Sequence, residues 1–117
     1  MSIKRIKCGS RMSQAVVHGG LVYTAGQVAQ NAAGESATKQ TEDILKSIDI
    51  LLAEAGTDKS KLISANIWLS DISDFSSMNE VWDAWVVEGA TPTRACVESK
   101  LAAPQITVEI AVTAVVD

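Results

Sequence analysis

The chain has little of what most recognisable sites are built from. Of its 117 residues, two are cysteine, Cys8 and Cys96, and one is histidine, His18. The cysteines lie far apart and form no Cys-x-x-Cys pair, so the four ligands of a zinc centre are not there to be gathered and no metal site is expected. Free thiols in a reducing cytoplasm are the expectation. A Cys/His hydrolase would have to join Cys96 to His18, yet His18 opens the turn signal His18-Gly19-Gly20 and nothing in the pattern carries it toward Cys96. Long apolar runs are also missing: the stretch Ile48–Ala53 is broken by Asp49 and is too short to span a bilayer. The N-terminal MSIKRIKCGSRM is basic without a following apolar segment, so it does not read as a secretory signal. Aromatic residues make up 4%, and the formal net charge of -4 with a pI near 4.9 gives phosphate backbones no general attraction. Nucleic acid is not expected as the main partner.

What is present suits one compact domain over residues 1–117, with 47% hydrophobic residues to fill its core. Met12–Val17 and Leu21–Val28 are strand-like runs flanking His18-Gly19-Gly20, the pattern of a tight hairpin. Gly26 falls inside the second run, where a glycine marks a bulge or a close backbone approach. From Ser36 to Ala55 the residues Ile44, Leu45, Ile48, Leu51, Leu52 and Ala55 recur at helical spacing, and Gly56 stops the helix. Leu62–Leu69 alternates as a strand, giving strand, helix, strand and hence a parallel crossover. A second helix is expected over about Phe75–Glu88 after N-cap candidates Asp71–Asp74, with Phe75, Met78, Trp82, Trp85 and Val86 on one face. Trp82 and Trp85 read as core anchors on that stripe.

The chain closes with two more strands, Thr93–Ser99 and Ile106–Val116, separated by a loop containing Pro104. Period two places Arg94, Cys96 and Glu98 on one face of the first, and Thr107, Glu109, Ala111 and Thr113 on one face of the second. Read as an antiparallel hairpin with Ser99 opposite Ile106, the pair sets Cys96 opposite Glu109. Arg94 then lies diagonally from Glu109 on the same face, about 7 to 8 Å away between backbones. A guanidinium and a carboxylate there either form a structural ion pair or bracket a small anionic substrate, whose carboxylate matches arginine's fork of donors. The whole pattern is α+β, a two-layer sandwich with two helices on one face of a mixed sheet. The far face, taken to carry Ala65, Ile67, Cys96 and Ala111 or their neighbours, is too apolar to leave in water, and self-association is its natural remedy.

Several segments together resemble the RidA/YjgF family of imine deaminases: Pro92-Thr93-Arg94-Ala95-Cys96-Val97-Glu98, Val108-Glu109-Ile110, Ser13-Gln14-Ala15, Ala25-Gly26-Gln27 and Asp71–Met78. The resemblance implies a chorismate-mutase-like fold with a mixed, six-stranded type of sheet, a homotrimer, and clefts between subunits. It also implies hydrolysis of 2-imino or enamine acids, of the 2-iminobutanoate and 2-iminopropanoate type, to 2-oxo acids and ammonia. Arg94 would hold the substrate carboxylate, Glu109 would orient or deprotonate the attacking water, backbone N–H near Cys96 would hydrogen-bond the substrate, Gly26 would line the site, and neither metal nor cofactor would be needed. Met12 and Ala25 stand where strongly active members carry tyrosine and serine. A more apolar pocket, with a different imine preference or slower turnover, is therefore implied. The alternative is a non-catalytic trimer that binds a small carboxylate. Ribonuclease activity, ascribed to some members of the family, is the reading least suited to an acidic chain without a basic, aromatic-interleaved surface.

Overall fold

The computed structural model describes residues 2–117, and its elements follow the sequence pattern closely. In chain order they are β1 (Lys4–Cys8), β2 (Ser13–His18), β3 (Leu21–Thr24), α1 (Ala37–Ala55), β4 (Leu62–Leu69), α2 (Phe75–Trp85), β5 (Thr93–Glu98) and β6 (Val108–Val115). Helix α1 begins where the Ser36 side chain accepts a hydrogen bond from the Lys39 N–H, and ends at Gly56 with φ of 88°. That left-handed cap lets the Gly56 N–H reach back to the carbonyls of Ala53 and Leu52, satisfying the last turn. The apolar stripe of α1 is buried: Ile44, Leu45, Ile48, Leu51 and Leu52 press onto the sheet together with Met78 and Trp82 of α2. Truncating any one of these to alanine would remove about 2–5 kcal/mol.

The six strands form one mixed sheet in the order β1-β2-β3-β6-β4-β5. Strands β3 and β4 both pair antiparallel with β6, so the β3–α1–β4 unit is a parallel crossover that leaves room for β6 between its strands. Strands β4 and β5, joined by α2, pair directly in parallel. Both helices cover one face. On β6 that face carries Val108, Ile110, Val112 and Ala114, all buried, while Glu109, Ala111, Thr113 and Val115 turn to the other face and are only partly covered.

Three expectations need correction. Strand β1 lies outside the sequence reading, because Lys4-Arg5-Ile6-Lys7-Cys8 buries a single residue, Ile6, and gives almost no apolar alternation to detect. The last two strands do not form a hairpin: β4 is inserted between them, so Cys96 sits opposite Ile67 and Glu109 opposite Trp68. Ala65 and Ile67 face the helices in the core, whereas Ala111 lies on the open face. The residues grouped earlier on one exposed surface thus divide between two.

Candidate functional site

Arg94 and Glu109, the two charges in the terminal strands, are on opposite faces of the sheet. Arg94 pairs across from Ala65, a helix-facing residue, and its side chain runs onto α2. There the guanidinium carbon lies 5.5 Å from the centroid of the Trp82 ring and 5.7 Å from that of Phe75. Its Nη1 donates to Asn79 Oδ1 at 2.7 Å. Phe75, Asn79 and Trp82 are spaced by four and three residues, so one helical face supplies all three contacts. Each cation–π contact contributes about 0.5–2 kcal/mol, enough to hold the guanidinium in place. Only one of its five N–H donors is committed to Asn79, leaving donors for a carboxylate.

Edge strand β5 adds backbone donors. The Ser99 N–H donates to Leu69 O, and N–H groups alternate sides along a strand, so those of Ala95 and Val97 also turn toward β4. The N–H groups of Arg94 and Cys96 are left on the free edge of the sheet. The Cys96 thiol is half-buried, and burial pushes its pKa up, partly offset by the Arg94 guanidinium. This thiol is held protonated at neutral pH, which suits a bystander better than a nucleophile. His18 belongs to β2, four strands away in the sheet, and its Nδ1 lies 3.1 Å from Ser2 O. The Cys/His pairing is therefore ruled out within the chain.

Glu109 is positioned by a different device. Tyr23 pairs with Thr113, but the next bridge joins Gln27 to Ile110. Three residues, Thr24, Ala25 and Gly26, therefore face only Ala111 and Val112. The extra residue is a β-bulge, a feature concentrated near active sites. It is tied down by hydrogen bonds from Val112 N–H to Thr24 Oγ1 at 3.0 Å and from Ala25 N–H to Gln14 O at 2.9 Å. The bulge carries Gly26 onto the Glu109 carboxylate so closely that a Cβ there would overlap Oε2 and stand 2.8 Å from Cδ. No acceptor for the Gly26 N–H is found among the described residues. Met12, just ahead of β2, is 46% exposed, and Ala25 is partly buried beside Gly26.

The candidate residues thus form two half-sites. One is Arg94 with the free edge at Cys96; the other is Glu109 with Gly26 and Ala25. Across the sheet they are two strand spacings apart, about 10 Å, and about another 10 Å along the strands, on opposite faces. Neither charge belongs to an ion pair among the described residues, where the pairs are Lys7–Glu54, Lys39–Glu35 and Lys61–Asp117. The structural ion pair left open by the residue chemistry is accordingly absent. Asn79 is the contributor that sequence reading missed. Its signal was present: a polar residue between Phe75 and Trp82 on the stripe otherwise assigned to the core. Those same tryptophans resolve into two roles, since Trp85 donates to Asp49 while Trp82 is both buried and stacked under Arg94.

Comparison with known proteins gives a consistent result. The family model described as Endoribonuclease L-PSP matches residues 2–116. A RutC family protein of Haemophilus influenzae is 42% identical, covering 97% of this chain and 98% of its own length. The RutC family protein YoaB of Escherichia coli is 40% identical, covering 99% of this chain and all of its own. Among solved structures, a member of the YjgF protein family from Neisseria meningitidis superposes with a TM-score of 0.96 at 46% identity. That match covers 100% of this chain and 97% of that one.

Proposed function

Because the chain belongs to the RidA/YjgF family, we propose that it hydrolyses small reactive 2-imino and enamine acids to 2-oxo acids and ammonia, in a cleft completed by a second copy of itself. The observation that carries this reading is the separation of Arg94 and Glu109. Each is unpaired, each is backed by its own positioning elements, and the chain alone cannot bring them together. A neighbouring subunit laid on the open face supplies the missing half. That face has reason to be covered, since Tyr23 and Ile63 are 46% and 42% exposed, and Val97 on the free edge strand is 51% exposed. A closed trimer repeats the contact three times and leaves no open face unpartnered.

The chemistry asks little of the protein. Carbon is at the same oxidation level in an imine and a ketone, so no electron acceptor is required. In this reading Arg94 grips the substrate carboxylate through paired N–H donors, with the edge N–H of Cys96 beside it. Glu109 of the other subunit takes a proton from a water poised at the imine carbon. Water adds across the C=N bond, the nitrogen receives the protons, and the C–N bond of the carbinolamine breaks to release ammonia as the carbonyl forms. The free Gly26 N–H is placed to steady the added oxygen. Met12 and Ala25 supply a thioether and a methyl group around this centre, favouring imines with apolar side chains over polar ones. Its two free thiols suit a reducing cytoplasm, the compartment this reading expects.

Ammonia release from a freshly generated 2-imino acid tests the reading. Wild-type protein accelerates it; Glu109→Gln lowers kcat by about 10²–10⁴-fold, the usual worth of a general base. Arg94→Ala abolishes the acceleration while the oligomer, checked by sedimentation, persists. Wild-type and Arg94→Ala rates that agree would sink the proposal. Tight binding of a 2-oxo acid without turnover would instead support the non-catalytic carboxylate-binding alternative.

A further inference from the structure

From the hydrogen-bond pattern around the bulge we infer that Gln27, held by Gln14, is the positioning residue that sets Glu109 in its working place. The inference rests on the function proposed above. Gln27 is 6% exposed, a rare state for an amide side chain, so its hydrogen bonds have to justify its burial. Its Nε2 donates to Ala25 O at 3.1 Å and to Gln14 Oε1 at 3.0 Å. Both of these partners belong to the bulge or to its anchor, because Gln14 O also accepts the Ala25 N–H. The backbone of Gln27 makes two bonds to Ile110, its N–H to the Ile110 carbonyl at 2.8 Å and its carbonyl to the Ile110 N–H at 3.0 Å. Ile110 adjoins Glu109 in the chain.

One residue therefore fixes both surfaces that define the Glu109 position. Its backbone pins β6 at Ile110, and its side chain pins the Ala25–Gly26 peptide that lies against the carboxylate. Without the amide donor, Ala25 O loses its partner and the bulge is free to relax toward a regular ladder. That shift moves Gly26 and its N–H relative to Glu109. The side chain works from behind: Gln14 and Gln27 line a separate cleft of about 290 Å³ with Lys7, Gln30 and Ser47. Gln27 itself touches no substrate.

The hydrogen-bond roles give the test its logic. Gln27 acts as donor and Gln14 as acceptor, so Gln14→Glu keeps the pair, Gln14→Met and Gln27→Met break it, and Gln27→Glu leaves Ala25 O without its donor. In the intact oligomer, the three breaking variants should lower kcat about 10- to 100-fold, in keeping with misplacement of a catalytic group by an ångström or less. KM should stay within about twofold, because Arg94 is untouched, and Gln14→Glu should recover wild-type kcat. Independently of activity, amide hydrogen exchange at Ala25 and Gln27, whose N–H groups donate to Gln14 O and Ile110 O, should quicken in the breaking variants while exchange in α1 and β4 stays as in wild type. Unchanged exchange at Ala25 and Gln27 would overturn the inference. So would exchange that quickens throughout the sheet, or a KM that rises as far as kcat falls. If the wild type hydrolyses no imine, the proposed function fails and the exchange measurement alone decides the role of Gln27.

Discussion

Glycine at position 26 is explained by space rather than by backbone twist. Its neighbour is the Glu109 carboxylate, and a methyl group would have to occupy the same volume. Overpacking of this kind costs about 1–3 kcal/mol and displaces whichever group moves more easily, here the carboxylate. Gly26→Ala should accordingly lower stability by about that amount, and Gly26→Ala combined with Glu109→Ala should regain most of it. A denaturant double-mutant cycle reads the coupling directly. Additive losses would mean that the two residues do not oppose each other as described. From the sequence, Gly26 was legible as a bulge or close approach because glycine interrupts a strand run. What approached it was not legible, since Glu109 is far away in the chain.

Among the elements, sequence pattern was most informative where one face meets one core. The apolar stripe of α1 and its Ser36 and Gly56 boundaries, and strand β4 from Leu62 to Leu69, follow directly from periodicity and capping. The pattern was least informative where the partner strand had to be chosen. Strands β5 and β6 each show clear alternation, but alternation does not say whether the chain turns back beside itself or crosses over a strand already in place. The intervening loop is long enough for either. It is carried past β4 by Gln40, which is fully buried: its Nε2 donates to Gln105 O at 2.9 Å, and its Oε1 accepts the Thr107 N–H at 3.0 Å. A second tie fastens the loop before α1, where Asp43 accepts the N–H groups of Asn31 at 2.8 Å and Ala32 at 3.0 Å. The Asn31 N–H chiefly, helped by Ala32 and opposed by burial, holds the Asp43 carboxyl below its ordinary value of 3.8. A depressed carboxyl pKa stabilises the fold fully above the unfolded value and ceases to do so as pH falls through the folded one. Asp43→Asn should therefore be less stable than wild type by a constant margin between about pH 5 and 7. The margin should close below 3.8, as followed by urea unfolding at a series of pH values. A margin unchanged at pH 3 would show that the carboxylate charge is not what the loop uses.

At the level of the whole molecule, two half-sites on opposite faces make a specific demand. If each cleft takes Arg94 from one subunit and Glu109 from the next, then neither inactive variant is beyond repair. Arg94→Ala and Glu109→Gln subunits, dissociated and reassembled together, should produce some clefts with both native residues. Random closure into rings gives about a quarter of the wild-type number. Recovered ammonia release on mixing is the expected result, and no recovery after demonstrated subunit exchange would overturn the shared cleft. The sequence contained both charges but not this division of labour, because strand order, not residue identity, decides which face each occupies.

The bed on which Arg94 lies has one more consequence. Its guanidinium rests on the ring of Trp82, an indole otherwise sealed in the core, while Nη1 of the same cation is bound to Asn79. A cation drawn off or neutralised by a ligand changes the field at that ring. If Arg94 holds a carboxylate as proposed, indole emission should report its occupancy with no attached dye, regardless of whether the ligand is turned over.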